Sequence, residues 1–143
     1  MKDYITEFEL WKLELPAGRV IGDCSCYFDT LDVLAVCLRT NKGLCGWGFA
    51  QTVSAGVFNK PAPWITPMPS LADFQREFER DFWPSIEGRS PFELKMQRPR
   101  LFPGYSFLPL ALRIVLWDLM GKAVEMPLYQ FLGASPNHFR HAN

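Results

Sequence analysis

Histidine is nearly missing from this chain: His138 and His141 are the only two in 143 residues, and both fall in the last six positions. Chain ends fray, and a frayed tail cannot hold a reacting group in place, so neither is a candidate acid, base or metal ligand. A dominant charge is missing too. Fifteen Lys and Arg face fifteen Asp and Glu, for a formal net charge of zero. There is no basic stripe to follow a phosphate backbone and no polybasic membrane anchor, so no nucleic acid and no membrane is expected as a partner. Long apolar runs are absent as well. The densest, residues 107–120, is broken by Arg113 and Asp118 and is too short to span a bilayer. The first residues, Met1-Lys2-Asp3-Tyr4, do not lead into an apolar signal core, and a cytoplasmic protein is expected.

Cysteine is sparse. Cys24, Cys26, Cys37 and Cys45 match neither C-x2-C nor H-x3-H spacing, which leaves no zinc site. Cys37 and Cys45 fall on neighbouring strands of a predicted hairpin, so a disulfide is geometrically conceivable. A reducing cytosol favours four buried or loop thiols instead. No Gly-rich phosphate loop, G-x-S-x-G elbow or H-E-x-x-H pair occurs. Glu7 and Glu9 share a strand face and read as ordinary solvated carboxylates. On these grounds the chain is assigned no catalytic residue and no metal ligand.

What is present is material for one packed domain: 48% hydrophobic and 15% aromatic residues, too apolar for a disordered segment. Alternation over residues 4–15 predicts a first strand. Phe8 and Leu10 share one face before Trp11, Leu13 and Leu15 take over, which suggests a bulge near Leu10. Pro16 is expected to end it. Residues 31–40 are almost continuously apolar, as a strand covered on both faces would be. Asn41-Lys42-Gly43 supplies a turn, and residues 44–51 return as a third strand. In that strand Gly46 and Gly48 flank Trp47, and strand glycines mark a bulge or a close backbone approach.

The second half reads as helical. Ser70 and Asp73 resemble a capping box, and Leu71, Phe74, Phe78 and Phe82 form an apolar stripe that Pro84 should stop. Ser90-Pro91 opens a short helix to about Gln97. Ser106 caps a third helix, apolar nearly all round from Phe107 to Met120, which should lie at the centre of the helical cluster. Asp118 and Lys122 form an i, i+4 pair on it, and Gly121 would admit a second backbone. Pro127 starts a one-turn helix closed by Gly133. The fold class is therefore α+β: a three-stranded antiparallel meander followed by three to four helices.

Residues 16–30 and 52–69 are left as two long loops, and in an up-down-up meander both lie at the same end of the sheet. The first carries Arg19, Asp23, Tyr27 and Phe28; the second carries Phe58, Lys60 and Trp64. Aromatic groups with a few polar ones suit a ligand-contacting lid. The same aromatics could instead pin the loops to the domain's own core.

The segment from Leu112 to Gly133 resembles the last helices of the N-terminal domain in the mandelate racemase and muconate-lactonizing enzyme family of the enolase superfamily. Leu116, Trp117, Asp118, Leu119, Gly121, Lys122, Pro127, Leu128, Leu132 and Gly133 fit the pattern A-L-W-D-L-x-G-K-x-x-x-x-P-L-x-x-L-L-G. Upstream, Val33–Thr40, Gly43 and Gly46-Trp47-Gly48 are similar to that domain's second and third strands. Phe49 departs from the acidic residue common there. The resemblance covers about residues 4–135.

It implies a capping domain over residues 1–135, with 136–143 lying where a β/α barrel would begin. In a complete relative that barrel would carry the bases and the carboxylates that hold Mg2+, and none of those positions has a match here. The implied chemistry is proton abstraction beside a carboxylate, leading to dehydration or racemisation of a sugar acid. The implied partners are the barrel and a small carboxylate or sugar-acid substrate, with the chain inactive by itself and Mg2+ needed only by the complete enzyme. A free-standing binding or homo-oligomerising module is the second expectation, since a face made for a barrel is an apolar patch when uncovered.

Overall fold

The computed structural model describes residues 3–22, 27–53, 67–96 and 107–135. Strand β1 runs Ile5–Gly22, β2 Tyr27–Thr40 and β3 Cys45–Val53, and they pair antiparallel in the order β1-β2-β3. The turn at 41–43 closes as expected: Gly43 takes φ +80°, and Thr40 N donates to Leu44 O at 2.9 Å. Helices follow: α1 at Leu71–Glu77, α2 at Trp83–Ile86, α3 at Pro91–Met96, α4 at Phe107–Ala123 and α5 at Leu128–Phe131. The α+β meander-then-helices architecture is the one the pattern predicts.

Period-two alternation sorts the sheet. Leu34, Val36 and Leu38 of β2 join Ile5, Leu10 and Ala50 on the side that the helices cover. Phe74, Phe78 and Phe82 bring the helical stripe onto this core, with Ile86, Leu94, Leu108, Leu112, Leu116 and Leu119. Phe8 lies between the layers, its ring centroid 4.5 Å from that of Phe78.

Five local expectations need correction. No register shift occurs at Leu10; the shifts lie between Ile5 and Glu7 and between Pro16 and Ile21. Apolar residues on both faces of β1 imitate a change of phase, Phe8 and Leu10 packing inward while Trp11 stacks on Trp47 at 5.2 Å. Pro16 does not end β1, because an edge strand tolerates a missing N–H, and Pro16 pairs with Thr30. Pro84 does not stop the helix either. A π-helical turn at Phe78–Phe82 precedes it, and Pro84 falls in the first turn of α2, where no N–H is needed. Leu71 leaves the stripe and is exposed. Finally, α4 is not covered all round, since Leu110 and Ile114 are about 40% exposed (41% and 40%).

The caps behave as their sequence suggests. Asp73 N donates to Ser70 Oγ at 3.1 Å, and the Ser70 hydroxyl donates to Asp73 Oδ2 at 2.6 Å. Gly133, at φ +88°, follows α5. The proposed cap Ser106 lies outside the described residues.

Candidate functional site

β3 is an edge strand, and its free side is held by two side chains of α4. Trp47 donates its backbone N–H to Asp118 Oδ2 at 2.8 Å. Lys122 donates to Cys45 O at 2.8 Å and to the same Asp118 oxygen at 2.7 Å. A helical i, i+4 pair thus supplies one acceptor and one donor to successive edge groups that would otherwise be unpaired. The helix can come this close because Gly46 and Gly48 have no side chains. A Cβ on Gly48 would lie 1.9 Å from the carbonyl oxygen of Ala111, and one on Gly46 would lie 2.4 Å from Leu119 Cγ. A close backbone approach, and not a bulge, is what these glycines mark.

The far end of the sheet lies away from this contact. Leu15, Leu31 and Val53 are cross-strand neighbours there; Val53 is the last described residue of β3, and the pairing of β1 with β2 continues outward from it. The described residues of the expected first loop are paired strand: Pro16–Gly22 and Tyr27–Thr30 form a two-stranded arm, with Ile21 opposite Phe28 and Gly22 opposite Tyr27. Its β1 side carries extra residues between Pro16 and Ile21, including Gly18 at φ +73°. Proline, glycine and this irregular register hid the strand in the sequence. The residual signal was the pair of apolar doublets Val20-Ile21 and Tyr27-Phe28.

The lid candidates separate accordingly. Arg19 lies in the irregular part of the arm, on the rim of a concavity of about 280 Å3 shared with Pro16, Gly18, Val20, Asp29 and Thr30. Tyr27 is 53% exposed at the arm's end, its ring over Gly22, where a Cβ would meet it at 2.5 Å. Phe28 is buried and does not face solvent. Asp23, Phe58, Lys60 and Trp64 lie outside the described residues. The structure brings Arg19 and Tyr27 to one arm and leaves Phe28 to packing. A second concavity of about 560 Å3, lined by Leu44, Asp118, Lys122, Glu125 and Met126 among others, lies at the sheet's opposite end, and its Asp118 and Lys122 are already bonded.

No family model matches the chain. Among solved structures, a mandelate racemase-like protein of Mesorhizobium loti is similar over 92% of this chain at 31% identity, with a TM-score of 0.68. The chain has the enolase-superfamily N-terminal-domain fold, of the mandelate racemase-like kind. An L-talarate dehydratase of a Polaromonas species, solved with Mg and L-glucarate, shares this fold at 22% identity and TM-score 0.66 over 94% of the chain. The cis-3-hydroxy-L-proline dehydratase of Roseibium aggregatum is 24% identical over 136 residues. The chain spans about a third of each of these relatives: 32%, 36% and 34% of their lengths respectively.

Among the described residues, no three His, Cys, Asp or Glu side chains converge as a metal-binding group. These described residues therefore do not fit Mg2+. No described helix is long and apolar enough to cross a membrane, which says nothing of strand-built barrels.

Proposed function

We propose that this chain caps the active site of a Mg2+-dependent acid-sugar dehydratase or racemase, and that without a β/α barrel it turns nothing over. The observation that carries the reading is the shared sheet end: the β1–β2 arm projects beside Val53, the last described residue of β3, from which the chain leads into residues 54–66. A cap so built lowers two adjacent segments over a barrel mouth, excludes water and reads the substrate. In this proposal Arg19 pairs with a substrate carboxylate and Tyr27 forms an apolar wall. Asp23, Phe58, Lys60 and Trp64 complete the rim, and Phe28 stiffens the arm from within. The cap comprises residues 1–135, acts in the cytoplasm and has the barrel as its partner.

Two measurements test it. The purified chain, given Mg2+ and a panel of sugar acids, shows neither dehydration nor α-proton exchange; turnover by the chain alone refutes the proposal. Grafted in place of the matching third of a relative, the chain supports Mg2+-dependent turnover, and R19A lowers kcat/KM at least about tenfold, the cost of a lost charged contact. An unchanged kcat/KM removes Arg19 from the site.

A second reading is a free-standing binding or dimerising module. It is favoured by the exposed Leu13, Leu15, Trp47 and Phe49 on the sheet face away from the helices, and by Leu110, Ile114 and Leu132 on the other side. Sedimentation equilibrium separates the two: a monomer at all concentrations excludes self-association.

A further inference from the structure

Cys37 and Cys45 stand on adjacent strands, and both point away from the helical layer. In the β2–β3 register Cys37 faces Trp47 and Arg39 faces Cys45, which makes the two cysteines diagonal neighbours on one face. Their sulfurs are 2.6 Å apart, and both are free. Cys37 is fully buried and Cys45 is half-buried. The guanidinium of Arg39 donates to Glu9 Oε1 at 3.0 Å.

We propose that Cys37 and Cys45 form a reversible cross-strand disulfide, made and broken by exchange with small-molecule disulfides and thiols. Cys45, the accessible partner, is the attacking group. Its thiolate attacks a disulfide RS–SR, giving Cys45–S–SR and releasing RS−. Cys37 gives its proton to water and displaces the second RS− from Cys45, which closes the Cys37–Cys45 bond. Two protein thiols are oxidised, and RS–SR is reduced to two thiols. The division of labour follows from environment. Burial first, and then the hydrogen bond to Cys45, push the Cys37 thiol up to about 12, so it is a poor first nucleophile. Beside a mixed disulfide on Cys45 it needs no diffusion to act as the resolving thiol.

The bond would tie β2 to β3 where β3 meets α4. Cys45 already accepts from Lys122, and Trp47, two residues on, donates to Asp118. Oxidation therefore stiffens the edge on which the helix docks, independently of whether the chain caps a barrel.

The test uses the full chain as C24S/C26S, so that only this pair can react, with oxidised glutathione as the probe. Trypsin cuts after Arg39 and Lys42, so the peptides carrying Cys37 and Cys45 stay joined only if bonded to each other. The expected result is a monomer lighter by two hydrogens, joined tryptic peptides and a Tm raised by about 5 °C, all reversed by dithiothreitol. Adding C45A abolishes the joined peptides and the oxidant-dependent Tm shift. Free alkylation of both cysteines after oxidation, a glutathione adduct on Cys45 that persists, or linkage only between chains each overturns the proposal.

Discussion

Trp47 and Asp118 are 71 residues apart, yet the backbone N–H of one donates to the carboxylate of the other at 2.8 Å. The bond joins a Gly-Trp-Gly strand to a Trp-Asp-Leu-x-Gly-Lys helix, so two short sequence motifs are the two halves of one contact. Replacing Asp118 with alanine strands the Trp47 donor and removes the ion pair to Lys122, which keeps its bond to Cys45 O, at an expected cost of about 1–3 kcal/mol. D118N keeps an acceptor for Trp47 and loses the ion pair, so it should cost less than D118A. Urea denaturation of both variants measures this, and equal losses would show that the backbone contact contributes nothing.

Gly48 carries a sharper expectation. A methyl group there would sit 1.9 Å from the Ala111 carbonyl oxygen, and a rigid helix backbone cannot yield as a side chain can. G48A should cost about 3 kcal/mol or leave the chain unfolded, more than ordinary overpacking. At Gly43 a Cβ meets nothing within 4 Å but φ is +80°, so G43A costs about 1 kcal/mol through strain alone. Thermal melts of the two variants compare them; a G48A melt like that of G43A would mean that α4 does not dock as described.

The arm separates function from stability. R19A and Y27A remove side chains from its open surface and should change stability by no more than about 0.5 kcal/mol. F28A empties a buried position and should cost about 3 kcal/mol. Chemical denaturation checks the contrast, and a destabilising Y27A would make Tyr27 a packing residue.

Acid stability reports the first helix cap. The Ser70 hydroxyl, with Arg76 adding charge, holds the Asp73 carboxyl below the ordinary carboxylate value. A depressed folded-state value stabilises above the unfolded pKa, and that stabilisation is lost as pH falls through the folded one. S70A removes the main cause and the cap, at about 1 kcal/mol near neutrality. The gap between wild type and S70A should shrink as pH falls through the ordinary carboxylate range and below it. Urea midpoints across that range test it; a constant gap would assign the whole effect to Ser70 and Asp73 N.

Much of the fold was legible because its signals are local. Leu34, Val36 and Leu38 alternate with the pleat, Phe74, Phe78 and Phe82 recur at the helical period, and Gly43 and Gly133 sit where positive φ is needed. The arm was less legible. Pro16 and Gly18 read as strand breakers, because their tolerance depends on lying at a sheet edge, a fact about neighbours and not about sequence. The same ignorance of neighbours counted Phe28 with Tyr27, although one is buried and the other exposed.

By themselves, then, the residues determined element type and strand order, since periodicity and turn chemistry act over a few positions. Only the tertiary structure decided that Asp118 meets Trp47, that residues 16–22 and 27–30 pair as an arm, and that Cys37 touches Cys45. Each of those depends on which surfaces face one another across long chain separations or on which strand ends at an edge, and burial and hydrogen-bond satisfaction settle that for the assembled molecule as a whole.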